Sequence, residues 1–244
     1  VTPLVRIRAA ELWLPAEAVI TARSAAQVWG VDLADPDSVV EVVSSRRFRP
    51  MPGLVARTAH IAAGEVTVHR GIRLTTPLHT AWEIARALPE VSAIGWIDAL
   101  ARRRRLNRRE LRAHARRHVG EPGSRAAGRT LELSDPRAES PPESRLRIEM
   151  LRAGLPVPIP QFDVLVDGFF VARLDFAWPA FRFGVEYDGQ WHADIGQLHR
   201  DRSRVRELNA AGWRIFHVTR EDNRDIPALV RQIAAALEQA SSIL

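Results

Sequence analysis

RLDFAWPAFRFGVEYDGQWH, residues 173–192, decides how this chain is read. It has the pattern of two strands joined by a short loop, and it carries three carboxylates, Asp175, Glu186 and Asp188, in a chain that is otherwise basic. Alternate residues of a strand share a face. Val171, Arg173 and Asp175 therefore point one way, and Gly184, Glu186 and Asp188 point together on the next strand. If residues 178–183 loop out, Asp175 and Glu186 stand opposite each other. A like-charge pair on one face is unfavourable without a cation between its members. Magnesium, with manganese as a substitute, takes hard oxygen ligands of this kind and keeps several waters. It lowers the pKa of a bound water and neutralises a leaving oxygen, the two things phosphodiester hydrolysis needs.

Outward from this stretch, residues 140–244 read as a second domain of α-β-β-β-α-β-α order, an α/β fold with a mixed sheet and helices packed on it. Ser140-Pro-Pro-Glu143 is a capping-box signature ahead of Leu146, Met150 and Leu151, and Gly154 closes that helix. Strands are expected at 161–166, 169–176 and 182–187, with Asp167-Gly168 as a hairpin turn. A helix over 197–211 ends at Gly212, a strand follows at 213–219, and Ile226, Leu229, Val230, Ile233 and Leu237 stripe a final amphipathic helix.

With D…ExD on the second and third strands of this order, the domain resembles the PD-(D/E)XK nuclease superfamily. It is most similar to the uncharacterised nuclease-like family allied to very-short-patch-repair endonucleases. ESRLRIEMLRAGLP (143–156), VARLDFAWP (171–179), VEYDGQWH (185–192) and DRSRVRELNAAGWRIFHVT (201–219) carry the resemblance. It implies that Asp175 and Glu186 bind Mg2+ or Mn2+ and that Glu143 is an auxiliary acid. Asp188 stands where the superfamily has its lysine. His192 is then the candidate proton acceptor, with Gln190 helping to hold the water, Trp191 stacking on a base and Arg204 meeting a phosphate. Each of these has a plainer role open to it. Glu143 can simply complete the cap with Ser140, and Asp188 before Gly189 can set a turn. Trp191 can pack, His192 can be an ordinary histidine, and Arg204 can pair on the helix surface.

Residues 1–118 read as a first, α+β domain, followed by a connector at 119–139 with a short helix near 126–133. Helices are expected at 11–20, interrupted at Pro15, and at 21–29. Strands follow at 39–43 and 54–59. A hairpin pairs 65–68 with 72–75 about Arg70-Gly71. Thr76 caps a helix that begins with Pro77, and further helices occupy 91–102 and 108–118, the last capped by Asn107. AVITARSAAQVWG (18–30) and RGIRLTTPLHTAWEIAR (70–86) resemble the C-terminal part of AbiEi-like abortive-infection antitoxins. That resemblance implies a toxin–antitoxin or phage-defence partner. Members often begin with a DNA-binding winged helix, and none is expected in the first residues here.

Charge and composition narrow the function further. Of 244 residues, 35 are Lys or Arg and 29 are Asp or Glu, for a formal net charge of +6; every one of the 35 is arginine. No lysine is present to act as a base or Schiff-base nucleophile. Arg102 to Arg105 with Arg108, Arg109, Arg112, Arg116 and Arg117 form a basic run. Arg103, Arg108 and Arg112 are its candidate phosphate contacts, through sequence-independent, salt-sensitive binding. A solvated helix face is the alternative. His114 and His118 are one helical turn apart, but HARRH lacks the glutamate of HExxH and its neighbours are cationic, so a solvated face is expected there too. No cysteine is present, so thiolate metal sites are excluded. No GxGxxG or GxxxxGK[ST] marks a nucleotide cofactor. No bilayer-length apolar run or signal-peptide pattern is seen, so a cytoplasmic, membrane-free protein is expected. The expected function is a magnesium-dependent DNA endonuclease. The other reading is an antitoxin-like regulator that binds nucleic acid without cutting it.

Overall fold

The computed structural model describes residues 2–33, 37–49, 51–187, 204 and 206–242. The fold is mixed α/β, in two compact units, Val1–Ser144 and Arg145–Leu244.

The first unit contains α1 (Pro3–Glu11), β1 (Val19–Ile20), α2 (Ala22–Val28), β2 (Val40–Ser44), β3 (Leu54–Thr58), β4 (Val66–His69), β5 (Ile72–Thr75), α3 (Pro77–Ala87), α4 (Glu90–Arg104), α5 (Arg108–Arg117) and α6 (Ser124–Leu133). Its sheet has the order β3-β2-β1-β5-β4. Two-residue β1 is central, antiparallel to β2 and parallel to β5. This corrects the helix expected at 11–20. Helix α1 lies earlier, started by Thr2, whose hydroxyl accepts from Val5 N, and by a proline in its first turn. The chain leaves it at Glu11, and Val19 and Ile20 are buried in the sheet instead. The other expected elements appear in place. Arg70-Gly71 turns between β4 and β5 with φ of 52° and 79°, the left-handed pair of a tight hairpin. Thr76 caps α3, and Asn107 with Glu110 forms a full capping box on α5.

Helices α3, α4, α5 and α6 fill the core with Trp82, Ile84, Ile97, Leu100, Leu111 and Leu131, all fully buried. Each contributes about 1.5–3 kcal/mol by leaving water. The stretch expected to be a connector carries α6, whose Ala127 and Leu131 belong to this core. Asp98 of α4 fastens the chain beyond α6. Its carboxylate accepts from Asp135 N at 2.7 Å and from Ser144 Oγ at 2.8 Å.

Helix α7 (Pro141–Arg152) carries the chain into the second unit. Next come β6 (Ile159–Val166), β7 (Phe169–Trp178), β8 (Phe183–Tyr187), α8 (described at 206–210), β9 (Arg214–Val218) and α9 (Ile226–Ser241). The sheet order is β6-β7-β8-β9, with β8 and β9 parallel and the other pairs antiparallel. This is the expected α-β-β-β-α-β-α succession. Asp167-Gly168 makes the β6–β7 turn with φ of 51° and 82°. One apolar cluster joins Leu146 and Met150 to Phe176, Trp178, Val185 and the α9 stripe. Another joins Val164 and Leu174 to Leu208 and Trp213. Central β8 is buried along Phe183–Glu186, which explains its near-continuous apolar character. Among the described residues no helix is long and apolar enough to cross a membrane.

Candidate functional site

Pairing of β7 with β8 runs Trp178↔Phe183, Ala177↔Gly184, Phe176↔Val185. The ladder ends at Phe176↔Val185, and the next residues outward are Asp175 on β7 and Glu186 on β8. The short helical turn Pro179–Phe181, with Arg182 left-handed at φ 44°, supplies the looped-out connection the pairing needs. Asp175 is half-buried and held from two sides. Tyr187 N donates to its Oδ2 at 2.7 Å and Gln161 Nε2 to its Oδ1 at 3.0 Å. Gln161 lies on β6 at the position opposite Asp175, with φ of 52°. Glu186 is buried, and Arg204 Nη2 donates to its Oε2 at 2.8 Å. Arg204, read from the sequence as a phosphate contact or a helix-surface pair, is the counter-charge of Glu186. The donor set fits a hard divalent cation: two carboxylates from adjacent strands, one of them oriented by neutral donors.

Glu143 is engaged elsewhere. Its Oε1 accepts from Ser140 Oγ at 2.7 Å and its Oε2 from Glu139 N at 2.9 Å, so both oxygens serve the cap of α7. Asp188, Gln190, Trp191 and His192 lie outside the described residues.

Several arginines of the basic run have internal partners. Arg102 donates to Ala138 O and Arg108 to Glu132 O, while the Arg104 guanidinium lies 4.5 Å over the Trp29 ring. Arg103 packs against the backbone at Gly30 and remains exposed. Arg108, Arg109, Arg112 and Arg116 line the outer side of α5, opposite Leu111.

The inner side of α5 overturns the solvated face expected for its histidines. His114 is 1% exposed and His118 8%. They meet His79 of α3, which is 4% exposed, and Glu65, in the short turn before β4. Glu65 Oε1 is 2.7 Å from His118 Nε2 and 3.8 Å from His114 Nε2; its Oε2 is 3.3 Å from His79 Nδ1. Behind them, His118 Nδ1 lies 2.6 Å from Glu121 Oε1 and His79 Nε2 3.6 Å from Glu83 Oε1. The Trp82 ring stacks on His118 at 5.0 Å. Burial, then the charges of His118, His79 and Arg117, push the His114 pKa down to about 3. Burial also lowers that of His79, against the pull of Glu65 and Glu83. The available signal was the spacing of Leu111, His114 and His118 at i, i+3 and i+7, the period of a buried stripe.

Residues 17–133 match the family model of the AbiEi antitoxin C-terminal domain. Two uncharacterised proteins, from two strains of Mycobacterium tuberculosis, are each 33% identical to the chain over 238 residues, covering 96% of it and 87% of their own length. The chain belongs to the family of these mycobacterial proteins, and carries an AbiEi antitoxin C-terminal domain. All four members of the histidine cluster fall inside the AbiEi domain. Asp175 and Glu186 lie beyond it, in the stretch shared with the mycobacterial relatives. No solved structure matches.

Proposed function

We propose that the second unit is a metal-dependent nuclease, joined by the AbiEi domain to an abortive-infection, toxin–antitoxin type of system. One observation carries this reading: Asp175 and Glu186 are the residues next beyond the Phe176↔Val185 pair, and the Asp175 carboxylate reaches across to accept from the N–H of Tyr187, the residue after Glu186. Asp175 and Glu186 would hold Mg2+, or Mn2+ in its place. That ion supplies an activated water and charge neutralisation at the phosphorus. The chain's own groups do the positioning. Gln161 and the Tyr187 N–H fix the Asp175 carboxylate, and Arg204 holds Glu186. With no lysine in the chain, Arg204 is the described cation next to the acids, and His192 is the sequence's candidate for accepting the proton of the attacking water. The outer arginines of α5 are suited to a nucleic-acid backbone, and a toxin protein is the partner the AbiEi domain suggests.

A second reading rests on the same pair. Arg204 compensates Glu186 directly, as a fold that binds nucleic acid without cutting it would require once the metal is dispensed with. The deciding experiment incubates the purified chain with plasmid and with single-stranded DNA and RNA in Mg2+, Mn2+ or EDTA. Asp175→Ala and Glu186→Ala run alongside. Cleavage in Mg2+ or Mn2+ that disappears in EDTA and in both variants is expected. Cleavage that survives both substitutions would sink the site. Salt-sensitive binding with no cleavage of any substrate would establish the regulator.

A further inference from the structure

We propose that Glu65, His79, His114 and His118 form a binding site for one divalent transition-metal ion, with zinc the ion their donors fit best. One ligand atom from each of the four lies within 4.8 Å of the others. A tetrahedral zinc with bonds of about 2.0–2.1 Å places its donors about 3.3 Å apart. The separations from Glu65, 2.7 and 3.8 Å from Oε1 and 3.3 Å from Oε2, lie around that value. Closing on an ion would draw the four donors inward from their present spread. Three imidazoles disfavour magnesium and calcium, which take oxygen ligands. An N3O set suits zinc and its first-row neighbours.

A second observation is the state of the ring nitrogens. Both nitrogens of His79 and Nε2 of His114 are buried and make no hydrogen bond of acceptable geometry among the described residues. Buried polar atoms are ordinarily paired, and each exception calls for a cause. Two of these nitrogens, His79 Nδ1 and His114 Nε2, face the Glu65 carboxylate. A cation shared with that carboxylate would satisfy them.

The surroundings are those of ligating histidines. Such histidines donate their other N–H to a carboxylate, which fixes the tautomer and strengthens the donor. Glu121 stands behind His118 and Glu83 behind His79. Arg86 Nη1 ties these two carboxylates together at 3.1 and 3.3 Å, and Arg57 also pairs with Glu83. At His114, Arg117 Nη2 lies 2.9 Å from Nδ1. For Nε2 to bind metal, Nδ1 must carry the ring proton, so the exposed Arg117 side chain gives up this contact. With four protein ligands and Trp82 closing one side, the site is of the closed, structural kind. It joins the turn before β4 to α3 and α5. The competing arrangement is metal-free. In it His118 lies directly between the carboxylates of Glu65 and Glu121, 2.7 and 2.6 Å away.

The inference is independent of the nuclease reading, because the site lies wholly within the AbiEi domain. Its test uses the full chain, purified without a histidine tag. Metal content is measured after dialysis, and Co2+ is then titrated into chelator-treated protein and followed by its visible spectrum. The expected result is one zinc per chain, and an intense four-coordinate Co2+ spectrum that zinc abolishes. His79→Gln and His118→Gln should each lose zinc binding by more than about 100-fold, and Glu121→Gln, a positioning residue, should weaken it by about 10–100-fold. His69→Gln should bind as the wild type does. The Co2+ spectrum of the wild type decides the matter even where a variant fails to fold. A weak, aqua-like six-coordinate spectrum with no retained zinc would overturn the site. So would folded His79→Gln and His118→Gln proteins that bind zinc like the wild type.

Discussion

Glu186 shows how one residue can serve stability and chemistry together. It is buried on a central strand, and its visible counter-charge is Arg204, itself about a third exposed. Removing the partner leaves a buried carboxylate short of a donor, which costs more than the pair contributes. Arg204→Ala should therefore lower unfolding stability by about 1–3 kcal/mol. Glu186→Gln, which keeps an acceptor for Arg204, should cost less, and urea unfolding of the two variants checks the order. Asp98 makes a parallel case in the AbiEi domain. Asp98→Ala removes the acceptor of the Asp135 N–H and the shorter of two bonds of the Ser144 hydroxyl, which keeps Ser140 O at 3.3 Å. A loss of about 2–3 kcal/mol is expected in the same measurement. These two acids differ in what they hold. Asp98 fastens backbone, whereas Glu186 lies on the strand beside that of a second acid.

At the scale of elements, β8 is the most constrained. A Cβ on Gly184 would meet Leu174 Cδ1 at 2.5 Å and Ile215 Cδ1 at 3.3 Å, one from each neighbouring strand. Gly184→Ala should overpack the sheet and cost about 1–3 kcal/mol, read as a lowered thermal midpoint. The strands around it were legible because a period of two, a proline-containing loop and the Asp167-Gly168 turn bound them, whereas the bulge at Val164/Leu165 that shifts the β6–β7 register left no local sign. The approach of Asp175 to the Glu186–Tyr187 end of β8 follows from the β7–β8 pairing and from the Tyr187 N–H it accepts. Other elements were harder to read. ELWLPAEAVI (11–20) has helical character, yet Val19 and Ile20 are β-branched residues needed at the middle of a five-stranded sheet, and long-range pairing overrides local propensity there. Helix α5 looked solvated because arginine dominates it. Its buried stripe consists of Leu111, His114 and His118, with histidines where aliphatic residues usually stand. The partners that make sense of them, Glu65 and His79, are distant in sequence, and nothing local could bring them together. Glu143 had two roles open, and its oxygens accept from Ser140 Oγ and Glu139 N at the start of α7.

For the whole molecule, two compact units with separate cores should respond separately to ligands. Zinc should raise the unfolding midpoint of the AbiEi domain by mass action and slow hydrogen exchange in residues 65–82 and 111–118. Residues 159–187 should be unchanged by zinc in the same hydrogen-exchange experiment. Magnesium should show the converse pattern, acting on the second unit. The chain thereby combines a domain of the abortive-infection antitoxin kind with a sheet that carries Asp175 and Glu186 on adjacent strands. Its basic excess is carried by arginine, part of it committed to internal contacts and part arrayed on the outer side of α5. The most direct measurement for the central claim is the single-turnover rate of plasmid cleavage in Mg2+ by the wild type and by Asp175→Asn. That substitution keeps the size of the side chain and an acceptor for the Tyr187 N–H while removing the charge. A loss of about 100-fold or more is expected, the rate equivalent of several kcal/mol of lost charge stabilisation. Cleavage by Asp175→Asn at the wild-type rate, or no Mg2+-dependent cleavage by the wild type, would contradict the claim.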